Sequence, residues 1–454
     1  MGLKDEATWN QLGDLVTRLM KQKDVPGVAV GILHEGEIAA EGFGVTNLDA
    51  PMPVTDRTLF QIGSITKTFV GTAIMRLVEK GKLDLDATVR TYILEFKVAD
   101  ETASTEVTLR HLLTHTGGWA GDFFHNTGGG DDALARYVAD MADLPQLAPM
   151  GTIFSYNNAG FSVAGRIMEL ITGKSFQEAL KDLVLEPLGL EHSFLEPGDV
   201  MTHRFVVGHT LGEDGAEVAR PWPLERSGYP QGGIVCDVRD LLRYARFHLG
   251  DGRAEDGTQV LSPESMSQMQ SPQVTVWGNE ARGLTWGIDE VGGAREISHG
   301  GGTNGQITWL ALIPERDFAL AVLTNAEEGG PVTEQVHRWI LKEFLGLEDP
   351  KPAPMEVSEE ELAQYAGRYQ GYFGDVELGM LCGKLVGQVI YKRGFPSEDV
   401  PPPPAPPPMS LGLCEKDRLL VLDGRFEETK ADAIRKEDGS IGWLRVGGRL
   451  HTPS

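Results

Sequence analysis

Ser64-Ile65-Thr66-Lys67-Thr68-Phe69-Val70-Gly71-Thr72-Ala73-Ile74-Met75-Arg76-Leu77-Val78-Glu79-Lys80 is the stretch on which the reading of this chain turns. Phe69, Val70, Ala73, Ile74, Leu77 and Val78 recur at three- and four-residue intervals, which predicts a helix over 64–80 with one apolar stripe. Gly81 closes it, as glycine does just past a helix end. At its head Ser64 and Lys67 stand three apart and share a face. A serine hydroxyl is a poor nucleophile at neutral pH until a base stands within hydrogen-bond reach. Lysine serves as that base once desolvation or a nearby positive charge lowers its pKa. The free N–H groups of the first turn also favour an oxyanion beside Ser64. No other Ser-x-x-Lys occurs in the chain.

Two further motifs follow. Tyr156-Asn157-Asn158 is the only Tyr-x-Asn among nine tyrosines, in a loop before a helical run at 158–170. A phenolate beside an ammonium has a depressed pKa and relays a proton. Asn158 supplies an amide that orients the lysine and holds a substrate carbonyl. His299-Gly300-Gly301-Gly302 reads as a turn between strand-like stretches at 296–298 and 306–313. As the side wall of a cleft, Gly300 and Gly301 let a substrate backbone lie close. The N–H of Gly302 then pairs with that of Ser64 as an oxyanion hole. His115-Thr116-Gly117 competes for this third place, but it ends a short Leu112-Leu113-Thr114 segment and reads as ordering a nearby loop.

Other motifs fail. Gly300-x-Gly302-x-x-Gly305 fits a dinucleotide fingerprint, yet a strand pattern follows where a helix is required. Gly173-Lys174-Ser175 has Met168 where a phosphate-binding loop needs glycine. Neither a Gly-x-Ser-x-Gly elbow nor a His-Glu-x-x-His appears. No cofactor and no metal are expected.

The chain has 454 residues, enough for two or three domains, with 41% hydrophobic and 24% charged residues. No apolar stretch approaches a membrane span. Met1-Gly2-Leu3-Lys4-Asp5-Glu6 lacks the basic and apolar regions of a signal peptide, so the cytoplasm is the expected location. Cys236, Cys382 and Cys414 are far apart and read as small buried hydrophobes, neither a disulfide framework nor a metal site. A net charge of −25 argues against nucleic acid as partner, because phosphates are repelled. Residues 351–454 hold 13 Lys/Arg against 16 Asp/Glu, so most of that charge belongs to the first 350 residues. Such a field suits solubility and would draw a cationic substrate.

Helical and strand patterns alternate through residues 1–347. An amphipathic helix is expected over 8–21, paired strands over 27–33 and 37–43, and another helix over 238–249. Strands at 296–298, 306–313 and 319–323 share an antiparallel sheet. Helices in the middle with strands at both ends make an α+β domain. A helical face at 331–346 ends on Gly346, and residues 348–354 read as a stiff linker. Short strand patterns in 355–454 indicate a small antiparallel barrel or sandwich. The run 401–408, seven prolines broken by Ala405, forms a polyproline loop there.

Ser64-x-x-Lys67, Tyr156-x-Asn158 and His299-Gly300-Gly301, in this order, resemble the serine β-lactamase and penicillin-binding-protein superfamily. Residues 27–30, 60–64, 108–117 and Gln231-Gly232-Gly233 add to the resemblance, which spans residues 1 to about 347. The nearest branch is the class C β-lactamase-related group of D-aminopeptidases, D,D-peptidases and family VIII esterases. Residues 355–454 resemble the lipocalin-like barrels appended to some of its members.

The resemblance implies that Ser64 is acylated, that Lys67 and Tyr156 share proton transfer, and that Asn158 positions Lys67 and substrate. It places His299 where β-lactamases carry a lysine, and the oxyanion-hole amides at Ser64 and Gly302. The usual third motif, Lys-Thr-Gly or Lys-Ser-Gly, holds the β-lactam carboxylate. His299-Gly300-Gly301 lacks its fixed charge and hydroxyl, which points away from antibiotic hydrolysis. The implied activity is acyl-enzyme hydrolysis of a small amide or peptide with a D-amino-acid residue. Alternatives are a family VIII-type carboxylesterase, a penicillin-binding-protein-type thioesterase that cyclises a nonribosomal peptide, a β-lactamase, or a binding protein without turnover. The partner is a small-molecule or peptide substrate, and oligomers are compatible with the reading.

Overall fold

A computed structural model describes residues 3, 5–212, 215–222 and 224–454. Met1, Gly2 and Lys4 of the opening segment lie outside the described residues. Strand Gly27–His34 is buried along nearly its whole length, because both faces of its sheet are covered. Val28, Val30 and Ile32 pack with residues of helices Glu6–Gln22 and Gly330–Ile340. Ala29 and Leu33 point the other way, into a core shared with helices Thr66–Glu79 and Val238–Leu249. This alternation is the period-two geometry of a strand.

The sheet has eight antiparallel strands. In spatial order they are Glu37–Gly44, Gly27–His34, Phe318–Thr324, Gln306–Ile313, Ala294–Thr303, Gly287–Val291, Glu280–Arg282 and Val274–Trp277. Helices between residues 66 and 249 bank against one face, so the domain is α+β as expected. Helix Val238–Leu249 has the expected limits, with the Asp237 carboxylate accepting from the Asp240 N–H at its start. Helix Gly330–Ile340 continues through a wide turn, Leu341–Leu345, to Gly346 at φ +67°. Among the described residues no helix is long and apolar enough to cross a membrane.

Three expectations change. The helix starts at Thr66, and Ser64 lies in a tighter turn, Gly63–Ile65, at its head. The expected single apolar stripe widens to burial nearly all round, Thr66, Lys67, Thr68 and Thr72 included. His299–Gly302 is not a turn but the end of strand Ala294–Thr303, and the reversal falls at Asn304-Gly305. Gly301 explains this. A Cβ there would lie 2.0 Å from the Ile62 carbonyl oxygen and 2.3 Å from Thr308 Oγ1. The glycines admit the protein's own backbone, so the strand can run against the turn that carries Ser64.

Residues 367–453 form a closed eight-stranded barrel, each strand antiparallel to the next, with Tyr369 paired to Pro453 at the seam. The proline run 401–408 spans the gap between strands Lys384–Tyr391 and Met409–Glu415 and forms no strand. Of the cysteines, Cys236 is buried, but Cys382 is exposed. Cys382 and Gly383 occupy the reversal between Gly374–Leu381 and Lys384–Tyr391, both at positive φ, a two-residue hairpin geometry that faces solvent.

The barrel docks through its last strands. Trp443 Nε1 donates to the Leu147 carbonyl at 2.8 Å, and Arg445 Nη2 to the Val276 carbonyl at 2.6 Å. The Tyr156 N–H donates to the Gly448 carbonyl at 2.8 Å.

Candidate active site

Gly63, at φ +53°, brings the turn to the sheet: a Cβ on it would sit 2.6 Å from the Gly302 nitrogen. That approach sets the Gly302 backbone beside Ser64, where the oxyanion-hole pair was expected. Gly302 pairs with Ile307 in the neighbouring strand.

Lys67 is 0% exposed, with Nζ 2.9 Å from Ser64 Oγ. It donates to the Gln231 carbonyl at 2.6 Å. Gln231 is itself fixed, since its side-chain N–H groups donate to Tyr137 Oη at 3.1 Å and Ser162 Oγ at 2.8 Å. The aromatic rings of Tyr156 and Phe161 stand 5.0 and 5.4 Å from Nζ. Among the described residues no carboxylate lies within ion-pair distance of Lys67. Burial therefore holds its pKa well below the usual lysine range, and the charge of Arg449 adds to the effect against a smaller opposing pull from Asp122. Burial thus favours the uncharged amine, the form that accepts a proton.

The Ser64 hydroxyl lies near enough to the Tyr156 phenol to pull its pKa down. The expected phenolate is not what its surroundings favour. Burial pushes the phenol up to about 12, outweighing the Ser64 hydroxyl and the Arg449 charge, which both pull down. Burial thus favours the neutral form of both, an amine at Lys67 and a protonated phenol at Tyr156. Behind Tyr156, His115 stacks on the ring at 4.4 Å and accepts the Asn157 N–H at 2.9 Å. Its carbonyl accepts the Ser155 N–H at 3.0 Å. His115 orders the tyrosine loop and, buried among cations, is held well below the usual histidine range.

Asn158 gives its amide hydrogen to Asp122 Oδ1 at 2.7 Å. Arg449 Nε reaches the other oxygen of the same carboxylate at 3.0 Å. The Arg449 guanidinium lies 4.7 Å from the centre of the Tyr156 ring. His299 stands across the cleft, its ring 6.4 Å from that of Tyr156. Its Nδ1 donates to the Gly300 carbonyl at 2.6 Å, which leaves Nε2 as an acceptor. Burial pushes it down to about 3, so His299 is neutral.

The third motif therefore carries no charge, but two arginines do. Arg282, on strand Glu280–Arg282, packs 4.9 Å from the Phe154 ring. Its one hydrogen bond goes to the Ala281 carbonyl, and among the described residues no carboxylate comes within ion-pair distance. It is close enough to His299, His115 and Tyr156 to depress all three. Arg449 comes from the barrel. Sequence reasoning missed Asp122, Arg282 and Arg449, because none sits in a spaced motif. Gln231 lies in a stretch quoted for the resemblance, without a role.

Comparison with known proteins places this geometry. A sequence profile of the family described as Beta-lactamase matches residues 12–343. Penicillin-binding protein 4 of Amycolatopsis lactamdurans is 36% identical over 376 residues, covering 81% of this chain and 98% of that protein. The octameric penicillin-binding protein homologue from Pyrococcus abyssi superposes with a TM-score of 0.67 at 25% identity, over 96% of this chain and 97% of that one. SurE with D-Leu superposes with a TM-score of 0.74 at 24% identity, over 99% of this chain and 100% of that one, a likeness of fold.

Proposed function

This chain belongs to the beta-lactamase family of serine hydrolases, and from that premise we propose that it forms an acyl-enzyme on Ser64 and cleaves a small amide or peptide, with a D-amino-acid residue beside the scissile bond. The observation that carries the reading is Lys67: fully buried, without a carboxylate partner, and 2.9 Å from Ser64 Oγ. Burial favours the uncharged amine of such a lysine, the form that accepts a proton from the serine.

In this reading Ser64 Oγ attacks the substrate carbonyl while Lys67 takes its proton. The N–H groups of Ser64 and Gly302 receive the oxyanion. Tyr156 protonates the leaving nitrogen and is reprotonated from Lys67. Water then attacks the acyl carbon, its proton passes through Tyr156 and Lys67 to Ser64 Oγ as the ester bond breaks, and the acid leaves. Arg282, which has no carboxylate partner among the described residues, flanks this path, so a substrate with a carboxylate near the reacting bond is favoured over one with an amine there, whatever the net charge of the domain. The relative named for penicillin binding supports an acyl-enzyme on an amide. Assembly into an oligomer, as in the octameric relative, is part of the proposal and is tested by light scattering.

Wild type and Ser64→Ala, assayed side by side on an N-acetyl-D-alanine carboxyanilide, a short-chain nitrophenyl ester and a chromogenic cephalosporin, test the reading. Serine-dependent turnover of the anilide supports it. Turnover of the ester alone shifts the assignment to an esterase. Equal inertness of both proteins on all three removes the catalytic assignment.

A further inference from the structure

Asp122 is 6% exposed and touches neither Ser64 nor Lys67 within hydrogen-bond distance. Its two oxygens instead join the catalytic domain to the barrel. Oδ1 accepts from Asn158 Nδ2 at 2.7 Å and, weakly, from Arg449 Nη2 at 3.4 Å; Oδ2 accepts from Arg449 Nε at 3.0 Å. Among the described residues Arg449 has no other carboxylate partner. We propose that Asp122 is a positioning residue: one carboxylate fixes both the Asn158 amide and the Arg449 guanidinium, and so aligns the groups that move the Ser64 proton.

The inference rests on the Ser64 reading above. Its physical basis is directional. An ionised carboxylate only accepts hydrogen bonds, so it forces the nitrogen end of the Asn158 amide toward itself. The carbonyl end is then committed to the opposite side. Without Asp122 the amide is free to flip. The same carboxylate spaces the Arg449 guanidinium over Tyr156, and charge-assisted bonds of this kind are short and orientationally strict.

A role in packing alone and a role in proton transfer make different forecasts. The charged and titratable groups facing Lys67 and Tyr156 are Arg449 and Asp122 on one side, Arg282 from the sheet, His115 behind and His299 across. Arg449 pulls both Lys67 and Tyr156 down, and Asp122 pushes both up. Removing the Asp122 charge therefore moves the acid limb of a pH–rate profile to lower pH. Removing the Arg449 charge moves it to higher pH. Loss of packing slows the reaction without such opposed movement.

The test needs no knowledge of the substrate. Ser64 phosphonylation by an alkyl fluorophosphonate is followed by intact mass between about pH 5 and 10, on the full chain of wild type, Ser64→Ala, Asp122→Asn and Arg449→Gln. The expected result is labelling of Asp122→Asn slowed about 10²-fold at its optimum, with its acid limb lowered and that of Arg449→Gln raised. An Asp122→Asn protein labelled at the wild-type rate, or slowed with its limb unmoved, overturns the inference. Should Asp122→Asn fail to fold, an unmoved limb in Arg449→Gln does the same. Wild type as unlabelled as Ser64→Ala overturns the Ser64 reading itself, a different outcome.

Discussion

Arg449, on the last hairpin of the barrel, lies with its guanidinium 4.7 Å from the ring centre of Tyr156 in the catalytic domain. The neighbouring Gly448 carbonyl takes the Tyr156 N–H at 2.8 Å. The barrel is therefore part of the wall around Tyr156. Arg449→Met leaves a buried Asp122 without its cation, which costs about 1–3 kcal/mol once the guanidinium's partial exposure is allowed for. Serine-dependent turnover is expected to fall with it. A variant with wild-type stability by denaturant titration and wild-type turnover would detach the barrel from the site.

Lys67→Met is expected to lose activity by about 10²–10⁴-fold and yet gain stability. An unfolded lysine keeps its proton up to about pH 10.4, whereas folded Lys67 gives it up at lower pH. Between those two pKa values the unfolded chain binds more protons, so wild-type stability rises with pH through that window. Lys67→Met removes the dependence. Its melting temperature should exceed that of wild type at pH 7, with the gap narrowing toward pH 10. A gap that widens with pH contradicts a buried neutral lysine.

Adjacent glycines should respond oppositely. Gly301→Ala drives a methyl into the Ile62 carbonyl and is expected to cost about 1–3 kcal/mol or more, with Ser64 displaced. Gly302→Ala meets only Ile307 Cδ1, at 3.5 Å, and keeps its N–H. Thermal melts and fluorophosphonate labelling of the two variants check this. If both are tolerated, the strand does not press on the turn that carries Ser64.

Arg282→Gln tests the charge on the sheet side. A lost hydrogen bond to a charged group costs about 1.5–3 kcal/mol. KM for a peptide with a free carboxylate is expected to rise roughly 10–100-fold, by that same figure, while a neutral nitrophenyl ester is spared. Equal losses on both substrates mean that Arg282 only supports Phe154.

The expectations that hold longest rest on local rules. Helix Val238–Leu249 is legible because its apolar period, its Asp237 cap and Gly250 all lie within one segment. Ser64 and Lys67 meet because a helical turn brings residues three apart to one face. The glycines at 300–302 mislead for the opposite reason. Glycine is a poor strand former, so local propensity reads a turn, while the contact with Ile62 that makes them a strand is made by a distant part of the chain. The phenol of Tyr156 misleads likewise, since its burial outweighs the neighbouring charges that the motif suggests.

The α+β domain, the appended β-rich unit and the order of Ser64, Lys67, Tyr156, Asn158 and His299 are legible along the chain, because they follow from periodicity and spacing over a few turns. Packing alone set which way the two groups are pushed: burial favours the neutral form of each, so it lowers the Lys67 amine and raises the Tyr156 phenol. It also decided that Arg282, Asp122 and Arg449 surround them, because such groups are brought together by sheet pairing and barrel docking, which leave no period in the sequence.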